Sequence, residues 1–333
     1  MIRMSIEAMT IKTGADFRLP NGFYVGHAQD EIAATGCTVV MHKDGAVAGV
    51  SVRGAAPATL ETDLLDPKNA VDRINAVVLS GGSAFGLEAA SGVRQWLSER
   101  GCGFRFAGAC IPIVCGASIF DLSVGSSTRY PDKEMGYAAC NAVSRTVDTG
   151  NVGAGIGASV GKALGGAFSM KGGLGCASIE LDGLIVSALV VVNAVGNIYD
   201  RTRSKTVAGV LNPGDKQSIL DPYRSFLMML QASGKATPPP MNTTISCIVT
   251  NGVLTKAQAC HIADMAHDGY ARSIEPVHTT FDGDTVFLLS SSVHSCSPDL
   301  TGILAAKVME AAILDAVYSA TTAYGLLAAS DLL

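Results

Sequence analysis

Apolar positions fall along the chain in two spacings. Asn75-Ala76-Val77-Val78-Leu79-Ser80 is a short continuous apolar run ended by Gly81-Gly82, the pattern of a strand buried on both faces. Cys176 to Leu181 and Leu184 to Val192 are two more runs joined by Asp182-Gly183, and Asp-Gly between apolar runs predicts a hairpin. Val-rich runs on either side of Lys43-Asp44-Gly45 predict another hairpin within 35–53. Thr243 to Thr250 and Thr285 to Leu289 read as strands, the second entered through the turn Asp282-Gly283-Asp284. Helical spacing puts Leu87, Ala90, Val93 and Leu97 on one face of a helix over 87–100, stopped by Gly101. Thr255 opens a further helix, with Gln258 completing a capping box. Ile303, Leu304, Val308, Ala312 and Ile313 form the inward face of a long helix over 301–318. Residues 232–241 (ASGKATPPPM) read as a loop, because three successive prolines neither continue a helix nor sit inside a sheet. There is no internal repeat and no regular strand-helix-strand rhythm, which points to a layered α/β sandwich rather than a doubly wound sheet.

Composition narrows the function. The chain has 333 residues, 48% of them apolar and 16% charged, which suits a globular protein with a large core. Its formal charge is −5 and it has no basic run, so a nucleic-acid partner is not expected. The start carries no secretory pattern. The most apolar stretch, 185–195, falls well short of the roughly 20 residues that span a bilayer. The expectation is a soluble cytoplasmic protein with no membrane partner. Nine cysteines without a C-x-x-C pair read mainly as buried reduced thiols, and six histidines without H-E-x-x-H give no metal site. Gly153-Ala154-Gly155-Ile156-Gly157-Ala158 lacks the preceding strand of a dinucleotide fingerprint. Gly161-Lys162 lacks both the upstream glycine and the Ser/Thr of a phosphate loop. No cofactor is expected.

The informative junction is Pro238-Pro239-Pro240-Met241-Asn242-Thr243-Thr244-Ile245, where a loop runs directly into a strand. Cleavage of the Asn242–Thr243 bond would make Thr243 a new N-terminus. Its hydroxyl would be a nucleophile and its own α-amine, with a pKa of about 7.7–8.0, the base. On the residues alone, Asn-Thr-Thr is equally an ordinary loop-to-strand entry, and both readings stay open.

Several separated motifs resemble one family. NTTISCIVT at 242–250 and VHTTFDGDTVFLLS at 277–290 are joined by Gly22-Phe23-Tyr24-Val25-Gly26-His27 and LSGGSAFGLEAASGV at 79–93. AGIGASVGK at 154–162, KGGLG at 171–175 and VVVNAVGNIYD at 190–200 complete the set. Together they are similar, in order and over nearly the whole chain, to the N-terminal-nucleophile family of L-aminopeptidase/D-esterase, β-peptidyl aminopeptidases and the endo-type nylon-oligomer (6-aminohexanoate oligomer) hydrolase. The resemblance implies a four-layer α-β-β-α sandwich and one catalytic domain, 1–333. It implies autocleavage into an α chain 1–242 and a β chain 243–333, and an oligomer of αβ units, commonly a tetramer. It implies Thr243 as nucleophile, Asp282 and Asp284 orienting its amine and hydroxyl, a desolvated Lys162 favouring the deprotonated nucleophile, and Asn193 donating to an oxyanion. The four supporting residues are expected to be exposed in a cleft, with few packing contacts. Phe85 stands where the nylon-oligomer branch has an aromatic hydroxyl, and Gly81 and Gly82 are expected to shape the pocket wall. Implied substrates are short peptides with a free amine, D-amino acid amides or esters, β-peptides and ω-amino-acid oligomers. Alternatives are an acyltransferase like ornithine acetyltransferase, or a binding member that never cuts.

Overall fold

The computed structural model describes residues 10–233 and 242–332. Nine strands make the main sheet: β1 (Phe23–Asp30), β2 (Thr35–Val52), β3 (Thr59–Leu60), β4 (Arg73–Ser80), β5 (Val114–Ser118), β6 (Gly173–Leu181), β7 (Leu184–Asn193), β8 (Thr243–Gly252) and β9 (Thr285–His294). Their order is β6-β7-β8-β9-β2-β4-β5-β3, with β1 pairing the first part of β2. Most pairs are antiparallel; β8 with β9 and β4 with β5 are parallel. The helices are α1 (Ala89–Glu99), α2 (Lys133–Asn141), α3 (Pro222–Ser233), α4 (Lys256–Ser273) and α5 (Pro298–Tyr318).

Side-chain alternation turns this sheet into layers. Along β7, Val186, Ala188, Val190 and Val192 face α4 and α5. Leu189 and Val191 on its other face enter a second core with Ile245, Cys247 and Val249 of β8. That second core also takes Val77 and Leu79 of β4, whose neighbours Ala76 and Val78 face Trp96 and Leu97 of α1. Three cores therefore lie between helices and sheet, sheet and sheet, and sheet and helices. This is the expected α-β-β-α order.

Four local expectations change. Residues 35–52 form one long strand, not a hairpin. The Val runs on either side of Lys43-Asp44-Gly45 pair successive parts of β4, and the extra residues are absorbed as a register shift between Met41 and Ala46. The hairpin partner of β2 is β1, joined to it by residues 31–34. Helix α1 begins at Ala89, after a separate helical turn over Ser83–Gly86. Ile303 is 57% exposed: the buried face of α5 runs through Thr301, Leu304, Ala305, Val308, Ala312 and Ile313, and Ile303 points away from it. Ala232 and Ser233 of the expected loop belong to α3, and residues 234–241 lie outside the described ones.

Other signals hold. Asp182 and Gly183 both take positive φ in the β6–β7 turn, and Thr255 and Gln258 form their capping box. Helix α5 can approach β6 closely because Gly175 has no side chain. A Cβ there would lie 2.1 Å from the carbonyl oxygen of Ala312. All nine cysteines are free, and Cys37, Cys115, Cys140, Cys176 and Cys247 are buried. No helix among the described residues is long and apolar enough to cross a membrane.

Candidate active site

Strand pairing assembles the site. Thr243 is the first residue of β8 and Asn193 the last of β7, and they are register partners. Because β8 and β9 run parallel, their N-terminal ends coincide, which brings Asp282, Gly283 and Asp284 to the same edge. Lys162 arrives from a glycine-rich turn. Its backbone N–H donates to the Val195 carbonyl at 3.0 Å and that of Gly161 to Gly196 at 3.1 Å, just beyond β7.

The scissile carbonyl of the predicted cut has a specific setting. The oxygen of Asn242 accepts the Gly283 N–H at 2.8 Å. It also accepts the Thr243 hydroxyl. A Cβ on Gly283 would lie 2.9 Å from Thr243 Oγ1, so glycine keeps the space beside that hydroxyl open. The Asn242 side chain is buried and neither of its polar atoms has a partner. Asp284 accepts the Thr244 N–H through Oδ1 at 2.8 Å. Asp282 accepts the Thr279 N–H at 2.9 Å and its hydroxyl at 2.6 Å.

Asn193 is oriented by its partners. Its Oδ1 accepts Lys162 Nζ at 2.6 Å and the Ser159 N–H at 3.1 Å. Its Nδ2 therefore faces the other way and donates to the Phe120 carbonyl at 3.2 Å, with a second N–H to spare. Lys162 Nζ also donates to the Asn193 carbonyl at 3.0 Å.

The charged groups here are buried, not exposed in a cleft. Lys162 is 4% accessible, Asn193 0%, and Asp282 and Asp284 1% each. The β8 end of the sheet is covered by the 53–58 segment, whose Arg53 and Gly54 N–H groups donate to the Asp284 carbonyl and Ala56 N–H to that of Asp282. Burial lowers the Lys162 pKa to about 7, against the pull of Asp282 and Asp121 and with a further push from Lys171. Burial, then the Asp284 charge, raises Asp282 to about 6.

Three participants escaped the sequence reading. Asp121 is buried and accepts the Gly82 N–H and the Thr35 hydroxyl, each at 2.7 Å. A Cβ on Gly81 would fall 1.9 Å from its carboxylate. Gly81 and Gly82 thus reach the centre through Asp121, whose neighbour Phe120 holds Asn193. Lys171 is fully buried and donates to the carbonyls of Gly155, Ala158 and Gly172 at 2.9–3.0 Å. It fixes the peptide that presents Ser159 N–H to Asn193. His278 donates from Nδ1 to Asp284 at 2.8 Å. KGGLG and VHTTFDGDT contain the last two, but nothing in those strings marks a lysine or histidine as buried. Phe85 lies on the surface, 60% exposed, stacked on Tyr130 at 4.9 Å. It lines a cavity of about 390 Å³ with Leu60, Glu88 and Arg94.

Comparison with known proteins gives this geometry its context. The model of peptidase family S58 matches residues 21–329. An uncharacterized aminopeptidase of Mycobacterium tuberculosis is 42% identical over 311 residues, 90% of this chain and 88% of that protein. A 6-aminohexanoate-oligomer endohydrolase of Paenarthrobacter ureafaciens is 34% identical over 313 residues, 89% of this chain and 84% of that protein. The β-aminopeptidase of a Burkholderia species superimposes with a TM-score of 0.69 at 18% identity, over 99% of this chain and 95% of the other. The L-aminopeptidase D-Ala-esterase/amidase of Ochrobactrum anthropi, a variant of the Ntn-hydrolase fold, gives 0.68 at 18% identity, over 96% and 92%. The chain therefore belongs to peptidase family S58, hydrolases of amide bonds, and has the N-terminal-nucleophile hydrolase fold.

Proposed function

We propose that the chain cuts itself between Asn242 and Thr243 and then works as an amidohydrolase through Thr243. The observation that carries this reading is the Thr243 hydroxyl set against the Asn242 carbonyl, whose oxygen also takes the Gly283 N–H. In the first step, Thr243 Oγ1 bonds to the Asn242 carbonyl carbon, the C–N bond breaks and the proton passes to the departing amine. Water then hydrolyses the ester, releasing the Asn242 carboxylate and restoring the hydroxyl. The freed α-amine serves as base for later substrates. Asp282 and Asp284 orient the amine and hydroxyl. Lys162, its pKa brought down to about 7 by burial, favours the deprotonated nucleophile through the charge it still carries near neutral pH. Asn193 supplies its spare N–H to the oxyanion. Phe85 forms the outer wall of the substrate approach, and Gly81 and Gly82 shape it from behind, against Asp121 and Tyr130.

The substrates are small amides: short peptides, amino-acid amides or ω-amino-acid oligomers, in keeping with the aminopeptidase and oligomer-hydrolase relatives. We place the enzyme in the cytoplasm, which suits nine unpaired cysteines. We expect αβ units to assemble as a tetramer, which sedimentation will test. Denaturing mass spectrometry tests the central claim: the smaller piece should start at Thr243 and hold 333 − 242 = 91 residues. An active chain that stays intact would refute it.

A further inference from the structure

His278 has an unusual backbone. Its φ is +57°, in the left-handed region that disfavours a residue bearing a Cβ. In that conformation its backbone N–H and its Nδ1 converge on one oxygen of Asp284, at 3.1 and 2.8 Å. A carboxylate only accepts, so Nδ1 carries the proton. The other Asp284 oxygen takes the N–H of Thr244, the residue after Thr243. The ring of His278 is held in turn by His267, edge-on at 4.8 Å, and by Tyr270, stacked at 6.0 Å. Tyr270 also donates its hydroxyl toward the Thr244 carbonyl at 3.2 Å and Ser246 Oγ at 2.8 Å. The Thr244 residue is thus gripped from both ends, its N–H through Asp284 and its carbonyl through Tyr270, and both grips lead back to one ring cluster.

We propose that His278 is a positioning residue for the Thr243 reaction. It touches neither the nucleophile nor the scissile carbonyl. It fixes Asp284, Asp284 fixes the Thr244 N–H, and that fixes the direction in which Thr243 presents its hydroxyl and, after the cut, its amine. The inference rests on the reading of Thr243 as nucleophile. A residue that merely fills the 276–282 loop would not need two donors converging on one Asp284 oxygen.

Two substitutions separate the hydrogen bond from the backbone. Asparagine accepts positive φ better than most residues, and its Nδ2 occupies the place of the histidine Nδ1. Glycine accepts the same φ but has no side-chain donor. The measurements are the self-cleavage rate of freshly translated full-length chain, kcat and KM on an amino-acid p-nitroanilide, and melting temperature. H278N should cut and turn over within about threefold of wild type. H278G should lose about 10- to 100-fold in self-cleavage rate and in kcat, the effect of one hydrogen bond to a charged group, with KM within about twofold. The two variants should melt within a few degrees of each other. H278G working at the wild-type rate overturns the proposal, and so does H278N as slow as H278G. A wild-type chain that neither cuts nor hydrolyses the amide overturns the parent reading and this inference with it.

Discussion

Replacing Lys162 with methionine should change stability and function in opposite ways, and the pH dependence of the first is calculable. The folded lysine has its pKa lowered from 10.5 to about 7, chiefly by burial. Between those two values the unfolded chain holds a proton that the folded chain has lost, so this group makes stability rise with pH. Its penalty is full below about pH 7 and gone above about 10.5. At about 1.4 kcal/mol per pH unit, the full penalty is about 5 kcal/mol, and about half of it, roughly 2–3 kcal/mol, is relieved between pH 6 and pH 9. Methionine keeps the length of the side chain and cannot titrate. The variant should therefore fall behind by roughly 2–3 kcal/mol, relative to its parent, on going from pH 6 to pH 9. Loss of the Lys162 charge also removes the influence that lowers Asp282, which pushes in the same direction. The assay is urea unfolding of both chains in a Thr243→Ala background, where an uncut chain gives a comparable transition. In the Thr243 background the methionine variant should self-cleave at least about 10²-fold more slowly. A stability gap that does not move between the two pH values would refute the depressed lysine, and with it the electrostatic role given to Lys162.

Thr243→Ala should leave the chain uncut and inactive but folded, whereas Thr243→Ser should retain part of both activities; intact mass and amide turnover decide. Asn193→Ala removes the proposed oxyanion donor and also the acceptor of Lys162 and Ser159 N–H. Turnover should fall about 10²–10³-fold, and because the site is buried, melting temperature should fall too. Gly81→Ala would set a Cβ 1.9 Å from the Asp121 carboxylate; thermal unfolding should show a loss of about 1–3 kcal/mol or more, the range for overpacking. Lys171→Met strips an ammonium from three carbonyls, so slower self-cleavage without any change at Thr243 is expected, read from the same intact-mass time course.

Much of the frame was visible in the sequence because its strands are buried on both faces. Runs such as Val77-Val78-Leu79 and Leu189-Val190-Val191 have no polar position at which to misplace the sheet. The strand over 35–52 was misread because Lys43-Asp44-Gly45 has turn chemistry, and whether such a triplet reverses the chain or bulges depends on partners far away in sequence. Thr243 stands where a loop runs into a strand, a junction the residues themselves show, whereas Asn193, Lys162, Asp282 and Asp284 were marked only by the resemblance of their motifs to the family's. Asp121 and Lys171 were marked by neither. A charge in a short loop or beside glycines ordinarily reads as solvated, and only the packed molecule reveals that each is enclosed by backbone donors or acceptors. The same limit led to the expectation of an exposed cleft. Asp282 and Asp284 are buried under the 53–58 segment bonded to their backbone, and Lys162 is enclosed beside Asn193 and Val195; no local string announces either.

The position of β8 and β9 within the sheet has a consequence for the lifetime of the enzyme. Both lie in the 243–333 portion, yet they sit between β7 and β2, which lie in the 1–242 portion. After the proposed cut, the two products remain interleaved like the fingers of clasped hands. Neither can leave without opening main-chain hydrogen bonds along two strand boundaries. Exchange of an old 243–333 piece for a newly made one is therefore closed off, and so is mixing of pieces between molecules. Chemical damage to the Thr243 amine or hydroxyl would be permanent for that molecule, and the cell could restore activity only by making the whole chain again.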